Sequence, residues 1–280
     1  MFYTRTGSSD LVKDAKLDSA ETKITRSINE DNVATPPTRP ETTIAKKIVS
    51  FDAKVDVTLE DRNEDPETEL AQETLQKARD ASWRLQEMFF EADTGSDSED
   101  FDGMRQLVHA SWKLTDGVLV PVGGSDSMVE AQQLAIEKFL QHSARVRGGA
   151  SHAYMNEFLK IRWLTIAKHL GYYRQSKDEL GSVIEMIGNV ILRGAGYKEN
   201  GNTLLPFNKS VGGFSNTSEI FFVRWGERTD LTLLTSVGVR GRFAGQIGNF
   251  LVNNINMDAV MHAQNRTALV QSQGWRLDTP

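Results

Sequence analysis

The chain has 280 residues, of which 25% are charged and 39% hydrophobic, so it can bury a core for one large or two modest globular domains. Its formal net charge of -6 excludes a global basic field that would attract nucleic acid. The lack of cysteine excludes disulfides, thiolate catalysis and cysteine metal sites. No apolar run could span a bilayer and Met1–Arg5 precedes no apolar signal region, so we expect neither a membrane segment nor a secretory signal.

Residues 1–40 form a polar segment of mixed charge that ends in the proline cluster 35–40. Such a segment does not bury enough apolar area to offset the entropy lost on ordering. It is therefore either a disordered tail or an arm that becomes ordered only against neighbouring subunits. The prolines would keep the segment extended.

Residues 51–60 alternate strictly between apolar and polar side chains. Phe51, Ala53, Val55, Val57 and Leu59 fall on one face. This period of two predicts a β-strand. Because an isolated hairpin is only marginally stable in water, we expect the strand to pair with a segment from elsewhere, such as another subunit.

Asp65 and Pro66 predict the start of a long amphipathic helix that continues to about Ala92. An aspartate cap accepts hydrogen bonds from free amides, and proline fits the first helical position. One face is predicted from steps of three or four residues: Leu70, Thr74, Ala78, Ala81, Leu85 and Met88. The helix would be about 40 Å long.

Two further helices follow, and then strands. The sequence Ser127-Met128-Val129-Glu130 has capping-box spacing and predicts a helix to about Ala144. Asn156 predicts the cap of a third helix, with Gly171 as its stop and apolar positions Phe158, Ile161, Leu164 and Leu170. From about Ser182 onward the pattern is strand-like, most clearly at Ile220–Trp225 and Thr267–Val270.

An acidic stretch follows the long helix and is the first candidate for chemistry: Asp93, Asp97, Glu99, Asp100 and Asp102. A calcium loop requires oxygen ligands at alternating positions, then glycine, then a distal glutamate. Counted from Asp97, the third ligand position (the fifth residue) is Phe101, and the sixth residue is Asp102 where the pattern requires glycine, so the pattern fails. The stretch is interpreted as a solvated turn, with a cation site as the alternative.

Other side chains give no recognisable catalytic or metal motif. The histidines at 109, 142, 152, 169 and 262 lack zinc-ligand spacing, and no serine lies in a nucleophile-elbow pattern. Gly241, Gly245 and Gly248 match no phosphate-binding loop and indicate turns or bulges. We therefore predict no catalytic residue, no metal site and no cofactor site.

A basic stretch lies near two aromatic residues and has two readings. It contains Arg145, Arg147, Lys160, Arg162 and Lys168, with Tyr154 and Trp163 nearby. A groove for single-stranded nucleic acid combines such charges with aromatic stacking platforms. A helix surface with buried aromatics explains the same residues.

Short sequences in a fixed order resemble the major capsid proteins of tailed phages and viruses, which have the Hong Kong 97 type of fold. After the long helix comes Phe101-Asp102-Gly103-Met104, similar to the Phe-Asp-Gly-Leu of this family. Gly188-Asn189-Val190-Ile191 is similar to its Gly-X-Pro-Ile/Val strand, without the proline. Leu204-Leu205-Pro206-Phe207 follows, and Phe221–Glu227 resembles its Tyr-X-Val-Arg-Trp-Gly-Glu strand.

The resemblance implies an α+β, Hong Kong 97-like capsid fold with five segments. These are an N-terminal arm (1–40), an extended loop (41–64), a peripheral domain with the spine helix (65–125), an axial domain (126–230) and returning strands of the peripheral domain (231–280). Lys54, near Lys46 and Lys47, is at a plausible place for the covalent link that some members form between a loop lysine and a neighbour's asparagine.

The function that the resemblance implies is assembly. The chain would be a structural protein, not an enzyme, that forms hexamers and pentamers of an icosahedral shell around a viral genome. Expected partners are scaffold, portal and decoration proteins and non-specifically bound double-stranded DNA, with no membrane. The protein would be located in the virion after assembly in the host cytoplasm.

Two alternatives stay open at the level of sequence. An encapsulin-type shell around a cargo enzyme shares this architecture, and fold alone does not decide function. The second alternative is a metal-dependent hydrolase that uses the carboxylates of Asp97, Asp100 and Asp102.

Overall fold

The structure is a computed structural model that describes residues 2–4, 14–15, 41–42, 47–56, 66–96, 101–121, 125–177, 180–198, 200–226, 229–235, 240–247 and 250–277. Its helices are α1 (Pro66–Glu91), α2 (Met104–Leu107), α3 (Asp126–Arg145) and α4 (Glu157–His169). The strands in the first half are β1 (Phe2–Thr4), β2 (Asp14–Ala15), β3 (Glu41–Thr42), β4 (Lys47–Asp56), β5 (Lys113–Leu114), β6 (Leu119–Val120) and β7 (His152–Met155). The others are β8 (Tyr173–Lys177), β9 (Val183–Ile187), β10 (Val190–Gly194), β11 (Lys209–Val211), β12 (Phe214–Val223), β13 (Leu231–Thr235), β14 (Arg240–Ile247), β15 (Phe250–Ala263) and β16 (Leu269–Leu277).

Helix α1 confirms the predicted long helix, since it begins at Pro66 and ends at Glu91. Its predicted inner face is also correct. Leu70 and Met88 are buried at its two ends, and the positions between them are half-buried. Strands β4 and β15 pack against α1, and Asn253 on β15 donates a hydrogen bond to Thr74 Oγ1 at 3.0 Å. Small side chains in the middle of the helix allow this close approach.

Helix α3 confirms the second predicted helix but not its predicted cap. The N-cap residue is Ser125, whose backbone is extended and whose carbonyl accepts from Val129 N at 2.9 Å. The capping-box assignment to Ser127 was therefore wrong. Ser127 already lies inside the first turn, because helical hydrogen bonding starts two residues earlier.

Helix α4 confirms the third predicted helix at both ends. Asn156 Oδ1 accepts from Phe158 N at 2.9 Å, and Gly171 takes a positive φ of 77° directly after the C-cap. The buried stripe of the helix consists of Leu159, Trp163, Ile166 and Ala167. Phe158 and Ile161 are instead 58% and 59% exposed, so these two apolar positions do not face the core.

The larger sheet is mixed and has the order β5-β16-β12-β7-β10-β9-β8, with β11 paired to β12 and β6 paired to β16. The strand β7 runs parallel to β10 and antiparallel to β12. The predicted strand Ile220–Trp225 corresponds to the end of β12, and Thr267–Val270 covers a short 3-10 turn and the start of β16. The fold class is mixed α+β, as predicted.

A second sheet has the order β1-β13-β15-β14, with β4 also paired to β15. Strand β4 includes most of the alternating segment, and its predicted need for a partner is met within the same chain. Its register runs from Phe250 opposite Asp56 to Ala259 opposite Lys47. A pairing partner from another subunit is therefore not required for β4. The side chains of Phe51, Lys54 and Val55 lie outside the described residues.

Strand β12 divides two hydrophobic cores, because its side chains alternate between the two faces of the sheet. Ile220 and Phe222 join the α3/α4 core, which also contains Phe139, Trp163 and Trp275. Phe221 and Val223 join the α1/α2 core, which also contains Met88, Phe90 and Met104. These four consecutive residues, Ile220–Val223, are all fully buried. Burial on both faces of the sheet explains the uninterrupted apolar run in this part of the sequence.

The motif Phe101-Asp102-Gly103-Met104 closes the α1/α2 core. Phe101 and Met104 are buried, and Gly103 N donates to Ala92 O at 2.8 Å. A Cβ at position 103 would lie 2.6 Å from the Met88 carbonyl oxygen. The glycine is therefore required so that the chain can pass against the end of α1.

The division into arm, loop, peripheral domain and axial domain stays a prediction. Most of the arm (1–40) and part of the loop (41–64) lie outside the described residues.

Candidate functional site

The acidic turn after α1 uses its described carboxylates for local hydrogen bonds. Asp102 Oδ1 accepts from Thr94 N at 3.0 Å and from Thr94 Oγ1 at 2.8 Å. Asp93 accepts from Gly95 N at 2.9 Å. Residues 97–100, which include Asp97, Glu99 and Asp100, lie outside the described residues.

Within the part of the chain that the structure describes, no group of three or more histidine, aspartate or glutamate side chains is arranged to hold a metal ion. Across the same residues, no helix is both long and apolar enough to cross a membrane.

The residues of the basic stretch contact different parts of the protein. Lys160 pairs with Glu185 at 3.4 Å, Arg162 donates to Val120 O at 3.5 Å, and Lys168 lies 4.8 Å from the ring centre of Tyr173. Trp163 is fully buried, and the Tyr154 hydroxyl accepts from Trp225 Nε1 at 3.2 Å. Trp163 is thus packed in the core, and the half-buried Tyr154 is held by Trp225, so neither ring lies beside the basic side chains as a stacking platform. This arrangement favours the interpretation as a helix surface.

Gly245 lies in a β-bulge of the β14–β15 pair. The register shifts between Phe243 and Gly245, and Gly245 has a φ of 95°. Glycine accepts this backbone conformation without strain. The prediction that these glycines mark turns or bulges is therefore confirmed at Gly245 and wrong at Gly241, which pairs with Ile255 in the regular part of β14. Gly248 lies outside the described residues.

His142 belongs to a buried chain of hydrogen bonds that the sequence did not reveal. Its Nε2 lies 3.1 Å from Asp116 Oδ1, and its Nδ1 lies 2.8 Å from Ser272 Oγ. Trp275 Nε1 donates to the same serine oxygen at 2.6 Å. Three separate segments are joined here: the loop before β6, helix α3 and strand β16.

The proton positions of this chain follow from its donors. An ionised carboxylate only accepts, so Asp116 receives the Nε2–H of His142. Nδ1 of the neutral ring then accepts the hydrogen of Ser272 Oγ, and that oxygen accepts from the Trp275 indole. Burial lowers the pKa of His142, although the Asp116 charge opposes that change. The imidazole is therefore held neutral in one tautomer.

The set of serine, histidine and aspartate is not arranged for hydrolysis. Ser272 is fully buried in β16, and its oxygen already accepts from Trp275. A nucleophilic serine needs an approach path for the substrate and nearby oxyanion donors. The arrangement instead joins α3 to the sheet.

Glu219 is the centre of a second polar network, and only 1% of its side chain is exposed. Arg105 on α2 pairs with Glu219 Oε1, and Lys209 Nζ lies 2.6 Å from Glu219 Oε2. Gln271 Nε2 donates to the second oxygen of Glu219. Burial would raise the pKa of Glu219, but the charges of Arg105 and Lys209 outweigh it and keep that pKa below its usual value.

The network continues to helix α1. Arg105 Nη1 lies 3.4 Å from Glu91 Oε1, and Lys198 Nζ lies 2.5 Å from Glu91 Oε2 and 2.9 Å from Glu87 Oε1. It therefore ties α1 and α2 to β12 and β16. The sequence held one signal for it, since Glu219 is a charged residue directly before the apolar run Ile220–Val223.

An open groove of about 310 Å³ lies between α1 and the sheet. It is lined mainly by apolar and aromatic side chains, among them Leu85, Phe89, Phe90, Tyr154 and Leu233. Phe89 stacks on Trp225 with ring centres 5.7 Å apart. The aromatic side chains explain why the Arg-Trp-Gly sequence after β12 is placed next to the end of α1.

No family model and no curated protein matches this sequence. Solved structures do match it. A chain of the holo-SrpI encapsulin complex from Synechococcus elongatus aligns with a TM-score of 0.58 at 12% identity, over 90% of this chain and 82% of that chain. The fold of this chain is therefore similar to the fold of that encapsulin chain.

Phage-type particles align at lower scores. A chain of Mycobacterium phage Bobi has a TM-score of 0.46 at 11% identity, over 99% of this chain and 83% of that chain. The capsid of a native GTA particle has a TM-score of 0.43 at 15% identity, over 98% of this chain and 94% of that chain.

Proposed function

We propose that this chain is a major capsid protein that self-assembles into an icosahedral shell of hexamers and pentamers enclosing a viral genome. The observation that carries the proposal is the fold shared with an encapsulin shell chain over 90% of the present sequence. Short family-like sequences, among them Phe101-Asp102-Gly103-Met104, give independent support.

Features of the described surface also support assembly. Helix α4 exposes Phe158 and Ile161, and helix α1 exposes Leu75 at 57% and Trp83 at 39%. Large apolar side chains on the surface of a shell subunit are expected at contacts with its neighbours. In this role the chain is a structural protein and not an enzyme.

The finer features of the role belong to the same proposal. The segment 1–40 acts as an arm that is ordered against neighbouring subunits, and 41–64 acts as an extended loop. Scaffold, portal and decoration proteins are partners, and packaged double-stranded DNA is contacted without sequence specificity. The protein is assembled in the host cytoplasm and located in the virion, with no membrane partner.

An encapsulin-type shell is the second candidate, because the neighbour with a TM-score of 0.58 is an encapsulin complex. The two candidates differ in what the shell contains. A capsid encloses nucleic acid, whereas an encapsulin-type shell encloses a cargo protein.

Electron microscopy of the purified protein tests assembly, and the particle contents separate the two candidates. The capsid hypothesis predicts closed particles or capsomers, with a scaffold supplied where needed. It also predicts nuclease-resistant DNA inside particles that are made with the packaging genes. Particles that retain a stoichiometric cargo protein instead of DNA would favour the encapsulin reading. A monomer at high concentration, with no particles in any co-expression, would contradict both.

The carboxylate hydrolase is a weaker third candidate, because Asp102, the described carboxylate among its three, already accepts two hydrogen bonds from Thr94. It expects metal-dependent hydrolysis by the monomer that is lost when Asp97, Asp100 and Asp102 are replaced by asparagine.

A further inference from the structure

Two outward surfaces are carried by α3 and α4, the helices that pack together in the α3/α4 core. Helix α3 packs against β6 and β16, and helix α4 packs against β8, β9 and β10. The sheet order places β16 near one end and β8 at the other. The two helices meet where His169 Nδ1 lies 3.1 Å from Gln132 Oε1. Each helix exposes the side opposite its own buried stripe, so the outer sides of α3 and α4 are different patches.

The outer side of α3 carries an acidic stripe, which consists of Glu130, Leu134 and Glu137. These residues are exposed, and Leu134 is 52% exposed. Their spacing of four and three residues places them on one side of the helix. Lys138, the neighbouring cation, is turned toward Asp116, with which it makes a 3.1 Å ion pair.

The outer side of α4 and the adjoining strand form a basic face, which consists of Phe158, Ile161, Lys168 and Lys177. All four are exposed. Lys168 lies over the ring of Tyr173 on β8, and Lys177 shares the strand face of Tyr173 because side chains alternate along a strand. Among the other basic residues nearby, Lys160 is paired with Glu185 and Arg162 donates to Val120 O, while Arg174 lies on the other face of β8 from Tyr173.

The two patches complement each other in charge, and each has apolar side chains at its centre. Leu134 is flanked by two carboxylates, while Phe158 and Ile161 are accompanied by two ammonium groups. Apolar anchors with opposite charges around them are typical of specific protein contacts, in which charge sets register and partner choice. Each patch would repel a second copy of itself.

We propose that neighbouring copies of this chain join head to tail, with the acidic stripe of one copy against the basic face of the next. Two different patches make a heterologous contact, and a heterologous contact closes into a ring when its rotation allows. This inference rests on the proposed shell function and names the surface that builds its hexamers and pentamers.

Charge reversal tests the contact with two variants of the full chain. The acidic-stripe variant is Glu130→Lys with Glu137→Lys, and the basic-face variant is Lys168→Glu with Lys177→Glu. Each variant alone puts like charges across the contact, so its yield of capsomers or shells falls by at least about tenfold. A chain that carries all four substitutions restores the opposite charges and assembles alone.

Mixing the two variants gives the sharpest result. The acidic-stripe variant carries positive charge on both patches, and the basic-face variant carries negative charge on both. Each copy can therefore bind only the other variant on either side, so the two chains must alternate around a ring. Alternation requires an even number of subunits. Native mass spectrometry and electron microscopy should therefore find hexamers of three copies of each variant and no pentamers.

The controls separate this inference from the proposed function. Thermal melting shows whether each variant is folded, and exposed substitutions of this kind change stability by only about 0.5 kcal/mol. If a reversal does not fold, Glu137→Gln and Lys168→Gln replace it and should reduce assembly more at low salt than at high salt. The proposed contact is wrong, and the shell function is untouched, if each single-patch variant assembles at the wild-type yield. The same holds if both the mixture and the four-substitution chain fail to assemble. Failure of the wild type to assemble would overturn the shell function.

Discussion

The α3/α4 core and the α1/α2 core share strand β12, yet their polar groups differ in charge. On the α3/α4 side, His142 is held neutral between Asp116 and Ser272. On the α1/α2 side, Glu219 is ionised between Arg105 and Lys209. Helices α3 and α4 are thus fixed mainly by apolar packing, whereas α1 and α2 also depend on buried ion pairs.

The two faces of the larger sheet place different requirements on the polar groups that they bury. The neutral imidazole of His142 adds little cost because both of its ring nitrogens have partners and the charge of Asp116 stays in contact with solvent. A buried carboxylate requires cations to stay close, so the position of α2 and β11 depends on Glu219. Loss of a charge should therefore disturb the α1/α2 side more than the α3/α4 side.

The largest expected effect comes from removing an aromatic ring from either core. Phe222→Ala and Phe221→Ala should each lower the free energy of unfolding by about 3–5 kcal/mol, because both rings are fully buried. We expect the larger loss at Phe222, whose ring centre lies 4.9 Å from that of Phe139, against 6.1 Å between Phe221 and Phe90. Urea unfolding of the unassembled chain measures both.

Phe214 on the same strand is the matched control for those two variants. It is 42% exposed and lies under the Arg276 guanidinium at 4.1 Å. Phe214→Ala should cost about 1 kcal/mol or less. A control loss as large as that at Phe222 would mean that the cores do not carry the stability of β12.

The second effect tests the ionised network. Glu219→Gln keeps the shape of the side chain but leaves Arg105 and Lys209 without their shared carboxylate. We expect the free energy of unfolding to fall by about 2–4 kcal/mol. This loss is smaller than the cost of leaving a fully buried charge unpaired, because solvent reaches the side chains of both Arg105 and Lys209. Urea unfolding measures the loss.

A double-mutant cycle then assigns that loss to the ion pair. If the pair carries it, Arg105→Met with Glu219→Gln should cost less than the sum of the two single substitutions. Additive losses would show that Glu219 stabilises the sheet through contacts other than the arginine.

The sequence predicted those features that are set by local residues. Pro66 fixed the start of α1, and the Asn156 cap and Gly171 stop were read correctly for α4 because caps act over a few residues. The buried stripe of α4 was not predicted, since Phe158 and Ile161 are as apolar as Leu159 and Ile166. Only the packing of the helix on the sheet decides which stripe is inside.

The polar networks were missed for a different reason. Arg105 and Gln271 are 114 and 52 residues from Glu219, and His142 is 130 residues from Ser272. No local pattern identifies contacts of this kind. A glutamate before an apolar strand was the single available sign, and it did not name its partners.

The third effect compares histidines on opposite faces of the sheet through acid sensitivity. Burial, with a contribution from the Arg193 charge, lowers the pKa of His152 to about 4. Burial also lowers the pKa of His142. Both histidines favour the neutral form in the folded state, so their stabilisation is complete above the unfolded pKa of about 6.5 and is lost as the pH falls below it.

Thermal melting from about pH 7.5 down to pH 4.5 measures this sensitivity. The His152→Gln chain should lose less stability on acidification than the wild type does, and His142→Gln should show a smaller change of the same sign. Equal acid profiles in all three chains would indicate that carboxylates such as Glu219 account for the acid sensitivity, and that the histidines do not.

The smallest effect is expected at the outer end of the ionised network, where solvent weakens charge pairs. Lys198 contacts Glu87 and Glu91, and its side chain is 25% exposed. Burial lowers the pKa of Lys198, but the two glutamates outweigh it and raise the pKa above its usual value. Lys198→Met keeps most of the side-chain packing, so its cost should be about 0.5–1 kcal/mol, and high salt should reduce the difference from wild type. Urea unfolding at low and high salt measures it, with Lys138→Met at the Asp116 pair as the surface control. A loss as large as that of Glu219→Gln would place the strength of the network at α1 instead of at the buried carboxylate.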